Sequence, residues 1–233
     1  MSSIPPIDRL VQLIFDEHKH LQSRENRPEK QVVPPLVTLT HDYGSGAEAI
    51  GRALARALHV EFIGDDVTHR HDDKHHLEAL ILKRLEAAHG TSQQRGLLDY
   101  LGGNPDTLHT YRRELVHVLL HFAEHEGGVI VDRGAHVILR DRPVFRLRIV
   151  GSEAVCARRV AQREGIDYEL ALNKLRKINQ QRLGYLRALV GVDNLDARQF
   201  DLTLNTDHFK DLSNVHLGLV GAMRAMGLNT GAA

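Results

Sequence analysis

The sequence predicts an α/β fold: a five-stranded parallel sheet with helices on both faces, a helical lid insertion and a separate N-terminal helix. Two observations predict it. From residue 36 onward, short apolar runs alternate with segments of helical periodicity, the pattern of parallel strands joined by crossover helices. The 233 residues also suffice for one sizeable core with appendages, but not for two domains of ordinary size.

The elements follow in order. Ile7, Leu10, Val11, Ile14 and Phe15 fall at helical spacing with Asp8, Glu17 and Lys19 elsewhere, so an amphipathic helix is expected over 7–21. The polar stretch 22–30 and Pro34-Pro35 read as a linker ending just before the first buried strand. The division expected is therefore 1–33 for helix and linker and 34–233 for the main domain. Strands are expected at 36–40, 60–63, 129–132, 145–150 and 202–205, and helices at 47–58, 73–88, 108–125, 153–163, 168–189 and 214–226. The glycine-bearing segment 91–105 reads as a flap, and the charged helical stretch 165–198 as a lid between the fourth and fifth strands. In such a sheet ligands bind beyond the carboxyl ends of the strands, so function is sought in the turns that follow them.

Composition narrows the partners. Thirty basic side chains balance thirty acidic ones, so no net field draws the protein to nucleic acid or to an anionic membrane, and neither is expected as a partner. The chain opens without a basic region followed by an apolar stretch, and no run approaches roughly eighteen apolar residues. With a single cysteine, Cys156, a reducing and cytoplasmic setting is expected, and the thiol reads as structural. The N-terminal helix is a candidate cap for the domain, or a surface for a protein partner or homo-oligomer.

The first strand, LVTLT, runs into His41-Asp42-Tyr43-Gly44-Ser45-Gly46-Ala47 and an alanine-rich helix whose first turn holds Glu48. Small residues let backbone N–H groups converge on an anion, and the helix N-terminus adds partial positive charge. A full phosphate loop, G-x-x-x-x-G-K-[ST], has a lysine after the last glycine and then a hydroxyl for magnesium. Ala47 and Glu48 stand there instead, so a phosphate loop and a plain strand–turn–helix are both open readings of this turn.

The second strand ends in Gly64-Asp65-Asp66-Val67-Thr68-His69-Arg70, which is open to ligand binding or to an acidic helix start. The third ends in Asp132-Arg133-Gly134-Ala135, where a guanidinium suits bidentate recognition of phosphate. In the lid, Arg176, Asn179 and Arg182 share one helical face. Histidines at 69–76 and at 117, 121 and 125 have spacings that metal ligands use, but a pair needs a third ligand and supporting partners, so structural roles are expected.

Taken together, TLTHDYGSGAEAIGRALARAL, FIGDD, VIVDRGAHVILRDRPVFRLRIVGSEAVCARRVAQREGI and FDLTLNTDHF resemble the cytidylate-kinase-like branch of the P-loop nucleoside monophosphate kinases, over about 36–226. The resemblance implies ATP with Mg2+ at the first turn, through His41, Gly44, Ser45, Gly46, Ala47 and Glu48. It implies a nucleoside monophosphate, cytidylate-like, or a related small phosphate acceptor held by Asp65, Asp66, Arg70, Asp132 and Arg133. It implies catalytic roles for Arg133 and Arg182. The branch carries a turn similar to S-R-x-x-G-S-G-G-R-E, whose arginines fall on His41 and Glu48 here. An arginine aimed at the transition state is worth roughly a thousand-fold to a hundred-thousand-fold, about 4 to 7 kcal/mol. A working kinase and a catalytically impaired nucleotide sensor or interaction protein are thus both open.

Overall fold

The computed structural model describes residues 6–22, 34–64, 105–191 and 195–231. All five expected strands are present: β1 (Leu36–His41), β2 (Phe62–Ile63), β3 (Gly128–Val131), β4 (Phe145–Val150) and β5 (Leu202–Asn205). They form one sheet in the order β2-β3-β1-β4-β5, every neighbouring pair parallel. The register sets Leu39 beside Val131 and His41 beside Ile149. The ends of β3, β1 and β4 therefore lie side by side, with the turn after β1 in the middle.

Strand alternation divides the apolar side chains between two faces. Val37, Leu39, Val131, Phe145, Leu147 and Ile149 pack with Ile50, Leu54 and Leu58 of α2 (Ala47–Leu58). Leu219 and Met223 join them from a C-terminal helix, Val215–Ala225. The other face carries α1 (Ile7–Gln22) and α3 (Pro105–His121), whose Ile7, Leu10, Ile14, Leu115 and Leu119 share a core with Ile130. The apolar stripe of α1 is thus buried within the domain, with Leu13 left exposed.

A short α4 (Ala135–Ile138) follows β3. After β4 come α5 (Glu153–Glu164) and the long α6 (Tyr168–Val190), then a 3-10 turn, Ala197–Gln199. The C-terminal helix Val215–Ala225 is α7. Both α5 and α6 begin at side-chain caps: Ser152 Oγ accepts from the Val155 N–H and Asp167 from the Glu169 N–H. Each ends at a left-handed glycine, Gly165 and Gly191.

Three boundaries differ from expectation. Residues 60 and 61 fall outside β2, because the Val60 N–H closes the end of α2 on the Ala55 carbonyl. Next, β3 stops at Val131, since Asp132 turns left-handed at φ 57°. The helix expected at 108–125 starts at Pro105 and finishes as a π-helical turn, Phe122–Glu126. In it Leu115, Val118, Leu119 and Phe122 are buried, while His121 and His125 stack at 4.8 Å on the exposed side.

Asp65, Asp66, Arg70, the helix expected at 73–88, nearly all of the flap at 91–105 and the histidines of 69–76 lie outside the described residues. Among the described residues no helix is long and apolar enough to cross a membrane.

Candidate functional site

The glycine turn after β1 is held from three sides. Its Asp42 N–H donates to the Ile149 carbonyl of β4, and its Ser45 N–H donates back to the Asp42 carbonyl. Gly44 and Gly46 both adopt φ 83°, which residues with a Cβ rarely do. At Gly44 there is no room for one either, since it would lie 2.7 Å from the Cys156 carbonyl oxygen, while at Gly46 it would have to displace the tip of Leu212.

From the far edge, Thr206 after β5 donates its hydroxyl to the Ser45 carbonyl at 2.8 Å. Arg159 of α5 binds the Thr206 hydroxyl and carbonyl at 2.9 and 2.7 Å. The Ser45 hydroxyl is buried and has no partner among the described residues. Cys156 packs beneath the loop with its thiol pushed up to about 11 by burial, which disfavours the thiolate.

Position 47, where a lysine would stand, is a buried alanine, and Glu48 turns outward to pair with Arg52 at 3.1 Å. The Glu48 carboxylate is therefore on the outer surface of α2, about half exposed.

The second wall of the site is the end of β3. Asp132, Arg133 and Gly134 are successively left-handed, at φ 57°, 56° and 69°. Two such non-glycine residues in a row store strain, a feature concentrated at functional sites. The Asp132 N–H still reaches the Leu39 carbonyl, and the Asp132 carbonyl accepts from Ala135 to start α4. Arg133 is 5 % exposed, with its guanidinium 5.3 Å from the centre of the Tyr185 ring of α6.

The third wall is α6. Asn179 Oδ1 accepts the Tyr43 N–H at 2.9 Å, and Arg182 Nη1 lies 3.1 Å from His41 Nδ1. Arg182 Nε is 3.6 Å from Asp132 Oδ2, and His41 Nε2 is 3.7 Å from the same oxygen. Burial holds the His41 imidazole below its ordinary pKa, against the opposing pull of Asp132, so the ring is neutral near pH 7. Arg176, on the same helical face, turns away to Glu153.

His41, Asp132 and Arg182, from three separate elements, thus meet at the centre of the carboxyl edge, with Arg133 next in sequence. Sequence reasoning passed over Tyr43 and Thr206. The Tyr43 hydroxyl donates to Glu164 at 2.7 Å and accepts from Arg163 at 2.8 Å, clasping the turn to the end of α5. Thr206 was within reach of the strand-end rule, since it directly follows β5. Nothing in the sequence pairs Tyr43 with Glu164.

A family model described as the cytidylate kinase-like family matches residues 36–208. In structure the chain is similar to an uncharacterized protein from Eubacterium ventriosum, 18% identical, with a TM-score of 0.61 and coverage of 82% of this chain and 99% of that one. It also resembles a shikimate kinase from Bacteroides thetaiotaomicron (16% identity, TM-score 0.49, covering 82% and 98%). A gluconokinase from Sinorhizobium meliloti is similar in turn (17% identity, TM-score 0.46, covering 84% and 95%). No curated protein matches the chain. The family match runs from the first strand of the sheet past the last and takes in the glycine turn, the left-handed turn after β3 and Arg182: the chain belongs to the cytidylate kinase-like family.

Proposed function

We propose that this protein is a nucleotide kinase-like phosphotransferase that binds ATP at the turn 41–48 and transfers phosphoryl to a nucleoside monophosphate, cytidylate-like, or a related small acceptor. The observation that carries the reading is the arrival of Arg182 from α6 at the glycine turn, between His41 and Asp132. A plain strand–turn–helix has no need of a guanidinium from 141 residues away.

The turn fits a nucleotide phosphate in its paired left-handed glycines, its buried Ser45 hydroxyl without a partner, and its place at the start of α2. Metal fits differently. Among the described residues no group of three or more His, Cys, Asp or Glu side chains is placed to hold an ion, so Mg2+ would be held chiefly through ATP and water. When bound, the nucleotide supplies the phosphoryl group and its metal the neutralisation of phosphate charge.

In this reading Arg182 holds transferring charge and Arg133, stacked on Tyr185, orients the acceptor together with Arg70, while Asp65 and Asp66 supply its polar contacts. The stretch 165–198 acts as the lid. The chemistry is positioning and charge stabilisation.

The test is purified protein with ATP, magnesium and each common nucleoside monophosphate. Diphosphate is expected to form with at least one acceptor, and Arg133→Ala should lower the rate roughly a hundred-fold to a thousand-fold. A second reading, a nucleotide sensor without turnover, is favoured by the buried Ala47 and the outward Glu48. Calorimetric nucleotide binding with no diphosphate above background would rule out those monophosphates as acceptors and favour it over the first.

A further inference from the structure

We infer that His41 and Asp132 are a positioning pair for Arg182, holding the guanidinium of α6 at the mouth of the glycine turn as the cation that the turn itself lacks. The inference rests on the reading that this turn binds nucleotide phosphate.

Asp132 occupies a backbone conformation that glycine adopts freely and aspartate with strain, so its side chain must be accounted for by what it touches. It touches charge. Its Oδ2 is shielded from water, accepts no hydrogen bond among the described residues, and lies 3.6 Å from Arg182 Nε and 3.7 Å from His41 Nε2. These distances are too long for hydrogen bonds but close enough for attraction away from bulk water.

His41 completes the triangle. A neutral ring with its hydrogen on Nε2 turns that hydrogen toward Asp132 and leaves the Nδ1 lone pair for Arg182 Nη1 at 3.1 Å. The same Nδ1 also lies 3.0 Å from the Asp42 carbonyl, a contact that would need Nδ1–H and would set it against an Arg182 donor. The pair as inferred is the Nε2–H form, in which Arg182, always a donor, takes the Nδ1 lone pair and also reaches the His41 carbonyl at 3.4 Å.

The neighbouring guanidiniums face elsewhere: Arg159 holds Ser45 and Thr206, and Arg163 holds Tyr43 and Glu164. Arg182 has His41 and Asp132 as its polar contacts, with the Tyr43 ring 5.9 Å away.

Protonation of His41 would turn Nδ1 into a donor opposite a donor and add a second positive charge. The charged groups that act on it are Asp42 on its own turn, Asp132 after β3 and Arg182 on α6.

The experiment is calorimetric titration of ATP into the full chain and into Asp132→Gly, Arg182→Ala, the corresponding double variant and His41→Asn. Thermal melting is measured beside each. Asp132→Gly loses this attraction but relieves the strain, so it should melt close to the wild type, yet bind ATP about tenfold more weakly. The double variant should bind no more weakly than Arg182→Ala alone.

Wild-type ATP affinity should fall more steeply at acidic pH, below the ordinary histidine range, than that of His41→Asn, whose side chain does not titrate. Failure of the wild type to bind ATP overturns the nucleotide-site reading and the role of the pair together. Wild-type binding that Asp132→Gly leaves unchanged, losses that add in the double variant, or identical pH profiles overturn the pair alone.

Discussion

His136 shows what burial does to a single titratable residue. It is 2 % exposed, shares a hydrogen bond with Thr40 Oγ1, stacks on Phe200 at 4.9 Å, and is pushed down to about 4 by burial. The sign follows from linkage: between about pH 4 and 6.5 the unfolded chain takes up the proton and the folded one does not, so stability rises with pH. The contribution is present above pH 6.5 and is lost as the pH falls through the folded value, on the order of 3 kcal/mol in all. Urea unfolding at pH 7 and pH 5 should show this, and His136→Phe, which keeps a ring against Phe200, should flatten the slope. An unchanged slope in that variant would place the sensitivity elsewhere. The sequence shows a histidine directly after Asp132-Arg133-Gly134-Ala135, but not its burial, which depends on α4 turning it under β1 toward Thr40. The turn glycines were legible because φ near 83° restricts residue type. The meeting of His41 with Arg182 was not, since it is a tertiary contact across 141 positions.

Among the elements, the α5–α6 pair decides how the turn is held. Tyr43 reaches Glu164 at the end of α5, where Lys174 of α6 also binds and, with the tyrosine and Arg163, holds the carboxylate at about 2. Because the cluster is partly open to water, its worth is discounted: Tyr43→Phe should cost about 1 kcal/mol in chemical denaturation. It should also speed hydrogen exchange at the Tyr43 N–H, whose bond to Asn179 depends on the same docking. Unchanged exchange would show that α6 is held on the turn without the clasp. Both helices were legible to within a residue, since a side-chain cap and a closing glycine mark their ends. The short α4 and the 3-10 turn after α6 were not, because three or four residues carry no periodicity. Strand ends β2 and β3 shifted for a related reason: which residue leaves the ladder is set by the turn beyond it.

At the scale of the whole molecule, α1 bears on how the sheet is closed and on whether a partner is called for. Its spacing suggested an amphipathic helix outside the main pattern, free to cap the domain or to bind another chain. The structure sets Ile7, Leu10 and Ile14 against α3 and α4, at 7, 4 and 2 % exposure, and the Arg142 guanidinium 3.9 Å from the centre of the Phe15 ring. With those side chains withdrawn, the parts of α3 and α4 that α1 covers would be open to water. Ile7, Leu10 and Ile14 are thus taken up by the chain's own core, while Leu13 stays exposed. Ile14→Ala should therefore behave as a core truncation, lowering stability by about 2 to 4 kcal/mol, with the association state unchanged in sedimentation at equal concentration. The opposite pattern, an unchanged unfolding midpoint with altered association, would assign the stripe to a partner. The same substitution also separates cap from site. Because α1 meets the face away from α2 and the glycine turn, ATP binding by the folded fraction of Ile14→Ala should match the wild type.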